Sequence, residues 1–287
     1  MSPHRGLFRI RFGSRSASIA LCYHRTPRVT GFNAVLCIIV ADVRGCDAAP
    51  FPLKGRPMPD VSDDTTLFET ARRELYSAVI GDVMDLMGYT TQFLPPRVQP
   101  LQDDMVVVGR AMPVLEADDV GGEEPGRADP TLSQPFGLML RALDDLKHDE
   151  VYLCTGASPK YALWGELMST AARNRGASGA VVDGWSRDTR GILKLDFPTF
   201  SYGRYAQDQR PRGKVVDFRC SIEIEGVRIC PGDVVFGDLD GVCIVPRDIE
   251  EEVFAAALEK ARGEKQVFEA ISAGMLAQEA WDRFGIM

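Results

Sequence analysis

Apolar residues recur every three to four positions across 66–87, where Leu67, Ala71, Leu75, Val79, Val83 and Leu86 fall on one face of a single predicted helix. Gly88 ends it. Residues 105–109 and 111–115 read as strand material, and 116–130, rich in Gly, Asp, Glu and Pro, as a solvated loop. The pattern then predicts a helix over 135–146, a buried strand over 150–155 and a turn at Gly156-Ala157-Ser158-Pro159. A short helix over 165–175 carries Leu167, Ala171 and Ala172 as its apolar stripe. A strand over 179–183, a helix over 188–195 and a strand over 198–202 follow. In the last third, 221–225 alternates, meets Gly226 and resumes at 227–230, which predicts a hairpin. Strands at 234–237 and 242–245 flank the turn Asp238-Leu239-Asp240-Gly241, and from Asp248 the chain is helical to its end, with a break near Gly274. Interleaved strands and helices of these lengths predict one α/β domain with a central β core and outer helices. The longest apolar run, at 34–41, is shorter than the ~20 residues a membrane helix needs.

Composition separates the first 57 residues from the rest. They hold nine of the 33 Lys and Arg but only two of the 41 acids, a balance of +7, which leaves −15 on residues 58–287. Arg5, Arg9, Arg11, Arg15, Arg25 and Arg28 stand among serines with no acid before Asp42. This stretch reads as an arm without packed structure, or as sequence upstream of a start at Met58. A transit peptide and then a secretion signal are the further alternatives. The α/β domain is therefore placed at 58–287. Its acidic balance argues against broad nucleic-acid binding, which needs a basic face, and leaves a small anionic substrate open, because a few local charges set the potential of a cleft. None of the seven cysteines forms a C-x-x-C, so free thiols in a reducing, cytoplasmic setting are expected. Of three histidines only His148 lies in the domain, which leaves little room for a His-rich zinc site or a Ser-His-Asp triad.

Three segments could carry chemistry. Trp164-Gly165-Glu166-Leu167-Met168 opens a helix on a glycine, where unpaired N–H groups and the helix dipole suit a carboxylate or phosphate. Taken alone it reads first as an ordinary strand-to-helix turn. Gly184-Trp185-Ser186-Arg187-Asp188 follows a strand, at the end where α/β folds gather functional groups. Arg187 offers a planar fork to a carboxylate and Asp188 a hard oxygen to a divalent cation, although taken alone the pair reads first as a surface ion pair or a helix cap by Asp188. The segment 231–242 spaces three aspartates among glycines, but not as an EF-hand does, and reads as two tight turns.

Together these segments resemble the RraA-like family, which includes 4-hydroxy-4-methyl-2-oxoglutarate and 4-carboxy-4-hydroxy-2-oxoadipate aldolases and the regulator of ribonuclease activity A. The resemblance runs from about Leu75 to Gly274. It passes through residues 76–85, Leu143-Asp144-Asp145-Leu146, Gly165-Glu166-Leu167, Gly179-Ala180-Val181-Val182-Asp183-Gly184, Arg187-Asp188, Phe197-Pro198-Thr199-Phe200, Pro231-Gly232-Asp233 and Asp238-Leu239-Asp240-Gly241-Val242. Its most specific feature is an acid, twenty residues, then Arg-Asp, as in Glu166 to Arg187-Asp188.

The resemblance implies a swivelling β/β/α fold, a trimer or hexamer with sites between subunits, and Mg²⁺ or Mn²⁺. It further implies that Asp188 holds the metal and Glu166 a metal-bound water. Arg187 would bind the carboxylate or oxo group of a small 2-oxo acid, and the backbone around Gly165, Glu166, Leu167 and Met168 would receive its carboxylate. An acid from a neighbouring subunit, for which Glu264 is the candidate, would complete the site. The activity implied is a metal-dependent lyase that cleaves a 4-hydroxy-2-oxo acid to pyruvate, with oxaloacetate decarboxylation alongside. Residue chemistry agrees, since carbon–carbon cleavage beside a 2-oxo acid develops an enolate charge that a cation and an arginine stabilise. A Schiff-base lysine is the chemical alternative, but Lys160 and Lys194 lie outside the motifs. The alternative role is a non-catalytic regulator that binds a ribonuclease. Those members lack the acid after the arginine, which this chain keeps. A methyltransferase finds no glycine-rich nucleotide fingerprint here. Trp185 and Ser186 replace the small apolar residues usual before Arg-Asp, and Tyr202-Gly203-Arg204-Tyr205 also departs from better-known members, so the exact substrate stays open.

Overall fold

A computed structural model describes residues 7–12, 15–20, 64–119 and 134–286. The chain divides into two compact units, Met1–Gly55 and Arg56–Met287. In the first, β1 (Leu7–Phe12) pairs antiparallel with β2 (Arg15–Ala20). The rest of the expected arm lies outside the described residues, as does most of the acidic loop, beyond Asp119.

The second unit opens with α1 (Asp64–Glu74) and α2 (Ser77–Leu86), where the hydrophobic period predicted one helix. The break has a tertiary cause. Tyr76 is extended, and the backbone N–H and hydroxyl of Ser77 both donate to the Asp238 carboxylate, each at 2.7 Å. A side chain 161 residues away thus caps the second helix, and a capping bond of that kind contributes about 1 kcal/mol. The apolar face remains continuous across the break: Phe68, Ala71, Leu75, Val79, Ile80, Val83 and Met84 are all buried.

β3 (Gln99–Pro100) and β4 (Val107–Asp118) follow. β4 is one strand that begins inside the first predicted piece, at Val107, and runs through the second into the first residues assigned to the loop. α3 (Met139–Asp145) starts later than its pattern suggested, because Phe136 and Gly137 adopt positive φ in the turn before it. Then come β5 (Glu150–Thr155), β6 (Ala162–Trp164), α4 (Glu166–Asn174), β7 (Gly179–Val182), β8 (Trp185–Ser186), α5 (Thr189–Leu195) and β9 (Thr199–Ser201). The C-terminal third is β10 (Gly213–Phe218), the hairpin β11 (Ile222–Ile224) and β12 (Val227–Ile229), the hairpin β13 (Val234–Asp238) and β14 (Gly241–Val245), then α6 (Glu250–Ser272) and α7 (Ala277–Phe284).

The main sheet runs β14-β13-β4-β5-β7-β9-β3, with β10 also on β4. β4, β5, β7 and β9 are parallel neighbours, while β13, β14, β10 and β3 pair antiparallel. The segment before β3 bonds to the opposite edge, Leu94 N–H to Val242 O and Ile244 N–H to Gln92 O, both 2.9 Å. The sheet therefore nearly closes into a barrel. Successive side chains of a strand point to opposite faces, and each face has its own core. Val235, Val242 and Ile244 pack into one core with Met112, Tyr152, Leu153 and Trp164. Val234, Phe236, Cys243 and Val245 point outward, where α1, α2 and α6 cover them with Phe68, Ile80, Met84, Val253 and Phe254. This is the α/β architecture with outer helices that the pattern predicted. Cys154 and Cys243 are buried free thiols, and Cys220 and Cys230 are half-buried ones. Among the described residues, no helix is long and apolar enough to cross a membrane.

Candidate active site

The spacing between Glu166 and Arg187 has a structural cause. β6 and β8 pair in parallel with Trp164 opposite Ser186, and the Arg187 N–H donates to Trp164 O at 2.9 Å. The two chain segments then leave this short ladder side by side, Gly165-Glu166 into α4 and Arg187-Asp188 into α5. The twenty intervening residues are what α4 and β7 need to return the chain to the same place.

Gly165 is extended and opens α4 with no side-chain cap. The first-turn N–H groups of Glu166, Leu167 and Met168 therefore have no partner within the helix. A Cβ placed on Gly165 would stand 3.0 Å from Asp188 Oδ2 and 3.5 Å from Arg187 Cγ, so the glycine lets both side chains approach the helix start. Asp188 is left-handed (φ 55°, ψ 30°), a conformation that aspartate tolerates better than most residues. It occupies the position before α5, yet its carboxylate makes no capping bond there. The carboxylate turns instead toward Gly165 and Arg187, with Arg187 Nε 3.5 Å from Oδ2. The helix-cap alternative is thereby answered. Arg187 Nη1 reaches Asp208 Oδ1 at 3.3 Å, and the side chains of Arg187 and Asp188 stay 36% and 48% exposed.

Other predicted residues fall differently. The Glu166 side chain folds over α5, where a Cβ on Gly191 would overlap its carboxyl group. Met168 is half-buried. Leu167 corrects the predicted apolar stripe: it is 84% exposed, and α4 buries Ser169 and Ala172. Trp164 Nε1 donates to Ser169 Oγ at 2.7 Å, so a polar bond anchors the face assigned to leucine. Glu264, on α6, accepts from the Tyr76 hydroxyl and lies 3.2 Å from Lys260 Nζ, and burial raises its carboxyl pKa. Its partners within the chain are thus neither Arg187 nor Asp188.

In the loop after β9, sequence reasoning set Tyr202-Gly203-Arg204-Tyr205 apart but missed Asp208. Ser186 N–H donates to Gly203 O, Tyr205 N–H to Ser186 O and Ala162 N–H to Gln207 O. These bonds lay Arg204, Tyr205 and Asp208 along β8 and β6. A cavity of about 350 Å³ results, lined by Ser186, Arg187, Asp188, Thr189, Arg204, Tyr205 and Ala206. It adjoins a more open groove of about 430 Å³ lined by Thr189, Arg190, Leu193, Lys194 and Arg204. Three cations and no acid line that groove, in a chain of net charge −8. Local positive potential of this kind draws small anions. Trp185, in a polar-edged aromatic cluster with Tyr202 and Tyr205, donates its ring N–H to Pro159 O at 3.1 Å.

The aspartates of the 231–242 segment serve structure, as two tight turns predict. Asp238 caps α2, while the Asp233 carboxylate accepts from Cys230 N–H at 2.7 Å and Arg247 N–H at 3.1 Å. Among the described residues, no three His, Cys, Asp or Glu side chains gather as a closed metal cage. The donor set at Asp188 fits a different mode. A hard, hydrated cation such as Mg²⁺ binds through one or two carboxylates and keeps water and substrate oxygens as its other ligands.

A fold with these parallel strands and outer helices, and an Arg-Asp pair set against a helix start, defines an α/β protein with a nearly closed central sheet. The RraA-like family model, Aldolase/RraA, matches residues 59–244, well over half the chain, and the chain belongs to that family. It is 28% identical over 217 residues to a protein of Halalkalibacterium halodurans that carries the provisional name 4-hydroxy-4-methyl-2-oxoglutarate aldolase, covering 75% of this chain and 93% of that one. It is 27% identical over 205 residues to protein DlpA of Legionella pneumophila, covering 71% of this chain but only 31% of that longer protein. Among solved structures, Streptomyces coelicolor RraAS2, described as an unusual member of the RNase ES inhibitor RraA family, superposes with a TM-score of 0.60 at 20% identity, over 74% of this chain and 98% of that one. That likeness bears on the fold alone.

Proposed function

We propose that the chain is a divalent-cation-dependent carbon–carbon lyase that cleaves a small 4-hydroxy-2-oxo acid to pyruvate and decarboxylates oxaloacetate. One observation carries this reading. A guanidinium and a carboxylate that caps nothing stand side by side, half exposed, over a glycine helix start. Asp188 would hold Mg²⁺ or Mn²⁺, and Glu166 would hold its water. The cation supplies Lewis-acid stabilisation of the negative charge that develops when the bond beside the 2-oxo group breaks.

The other roles fall to the protein's own groups. The fork of Arg187 binds the 2-oxo acid by two parallel hydrogen bonds. The N–H groups at the start of α4 receive its carboxylate. The cations Arg190, Lys194 and Arg204 raise the local concentration of anionic substrate. A carboxylate must move the proton in the absence of a nearby histidine, and Glu264 of the partner subunit is assigned to it. Leu167, bare at the site's edge, is where a second copy in a trimer or hexamer would close it.

The test is pyruvate release by the full chain from 4-hydroxy-4-methyl-2-oxoglutarate and from oxaloacetate, with Mg²⁺ and then with EDTA. Release with Mg²⁺ that EDTA abolishes is expected. No release from either by folded, metal-supplied protein would overturn the reading and turn attention to binding of a ribonuclease.

Two substitutions refine it. Arg187→Lys keeps the charge but loses the planar fork. The loss of a charge-assisted hydrogen bond worth about 1.5–3 kcal/mol lowers kcat/KM roughly 10- to 100-fold. A rate near wild type would make Arg187 a surface residue. Gly191→Ala forces the Glu166 carboxyl off α5. Alanine favours a helix over glycine by about 1 kcal/mol, so Tm should hold, while displaced support for the metal water costs about tenfold in metal affinity or rate. Unchanged Mn²⁺ affinity and rate would remove Glu166 from the site.

A further inference from the structure

The interior of the sheet holds a carboxyl group that the chemistry above does not use. Glu116, on β4, is buried, and its Oε1 has no hydrogen-bond partner. Its Oε2 accepts from the side-chain amide of Gln209, which is itself buried. Gln209 is a fixed point of the loop after β9. Its carbonyl accepts from Arg212 N–H and, at 2.9 Å, from Gly213 N–H, where β10 begins. Its neighbour Asp208 makes the 3.3 Å contact with Arg187 Nη1, and Gln207 O accepts from Ala162 N–H at 2.8 Å.

We propose that Glu116 is a positioning residue for Arg187. By accepting the Gln209 amide it anchors the 203–213 loop, and with it Asp208 against the Arg187 guanidinium. The guanidinium lies between two carboxylates, Asp188 at Nε and Asp208 at Nη1. Asp208 draws one end of the fork away from Asp188. Without it, the whole fork is free to turn onto Asp188, the carboxylate assigned to the cation.

The anchor depends on a proton. Burial raises the Glu116 pKa to about 8, opposed only by the Gln209 amide. Facing it are Tyr152 and Cys154 of β5 and Tyr161 of the turn before β6, all of which feel its charge and are themselves held protonated by burial. Asp118 of its own strand accepts from the Tyr161 hydroxyl, Asp183 beyond β7 adds negative field at Cys154, and Lys214 of β10 lies 2.7 Å from Asp119. An ionised Glu116 is a buried charge among groups that cannot neutralise it, so deprotonation drives the side chain toward water and loosens the loop.

The loop measurement does not depend on the lyase reading; the kinetic one does. Amide hydrogen exchange of residues 203–213 is followed from pH 6 to pH 9 in the full chain and in the Glu116→Gln and Gln209→Ala variants, alongside kcat and KM for pyruvate release from oxaloacetate. In the wild type, the loop's protection factor should fall about tenfold between pH 7 and pH 9, the ratio set by ionising an acid one unit above its pKa. β5 should hold its protection. Glu116→Gln keeps an acceptor for Gln209 and has no proton to lose, so its loop stays protected at pH 9 and the alkaline limb of kcat/KM moves up. Gln209→Ala lacks protection at every pH and shows a raised KM. Loop protection indifferent to pH, or the same fall in Glu116→Gln, overturns the positioning role. Loop behaviour as expected with no pyruvate from any variant leaves that role standing and overturns the lyase reading.

Discussion

Asp188→Asn abolishes metal-dependent pyruvate release while the protein stays folded. The magnitude follows from the role. A cation that stabilises developing charge contributes several kcal/mol, and each 1.4 kcal/mol is a factor of ten, so kcat/KM should fall by about 10²–10³. The fold should not notice. The Asp188 side chain is half exposed and makes no capping bond for α5, and substitutions away from buried features shift stability by about 0.5 kcal/mol or less. Asparagine is the right replacement because it tolerates the left-handed backbone (φ 55°). Asp188→Ala should lose as much activity and in addition about 1 kcal/mol of stability, because an alanine Cβ is strained in that region. Two measurements check this: Mn²⁺ titration for the lost site and thermal unfolding for the intact fold. If the Asn variant turns over with Mg²⁺ at close to the wild-type rate, Asp188 is not the metal ligand.

How much of this was legible beforehand depends on the range of the interaction. The strands at 150–155, 179–182, 234–238 and 241–245 followed from local pattern because each is a short, nearly continuous apolar run buried on both faces of the sheet. The Glu166–Arg187 spacing was legible as a motif, but its cause, the register of β6 on β8, was not: each strand is only two or three residues long and is defined by its partner. The helix break at Tyr76 was hidden because Asp238 makes it from across the fold. Leu167 was misplaced because a helix start exposes side chains that periodicity assigns to the interior. Asp208 had no signal at all. It lies in an irregular loop between β9 and β10 and meets Arg187 only after three backbone bonds have laid that loop along β6 and β8.

Glu116 is also the source of the largest pH effect expected on stability. In the unfolded chain the carboxyl titrates near 4.5, and in the fold near 8. Below the unfolded value both states hold the proton and the pH-dependent loss is nil. As pH rises from 4.5 the unfolded chain gives up its proton while the fold retains it, so stability falls continuously. Above the folded value both states are ionised and the loss is complete. A gap of this width corresponds to a loss on the order of 5 kcal/mol between pH 4.5 and pH 8, a large part of the 5–15 kcal/mol typical of a folded domain. Glu116→Gln has no such window. Its buried amide nitrogen lacks an acceptor, as the protonated Oε1 of the wild type lacks a partner, and that cost is the same at every pH. The other raised acids, Asp233 and Glu264, are common to both proteins and drop out of the comparison. Urea unfolding at pH 5, 7 and 9 should therefore find the wild type losing stability as pH rises while the variant holds its own, the gap between them shifting in the variant's favour from pH 5 to pH 9. Parallel curves would mean that Glu116 is solvated in the fold, and the proton that holds Gln209 and its loop would then have to be sought elsewhere.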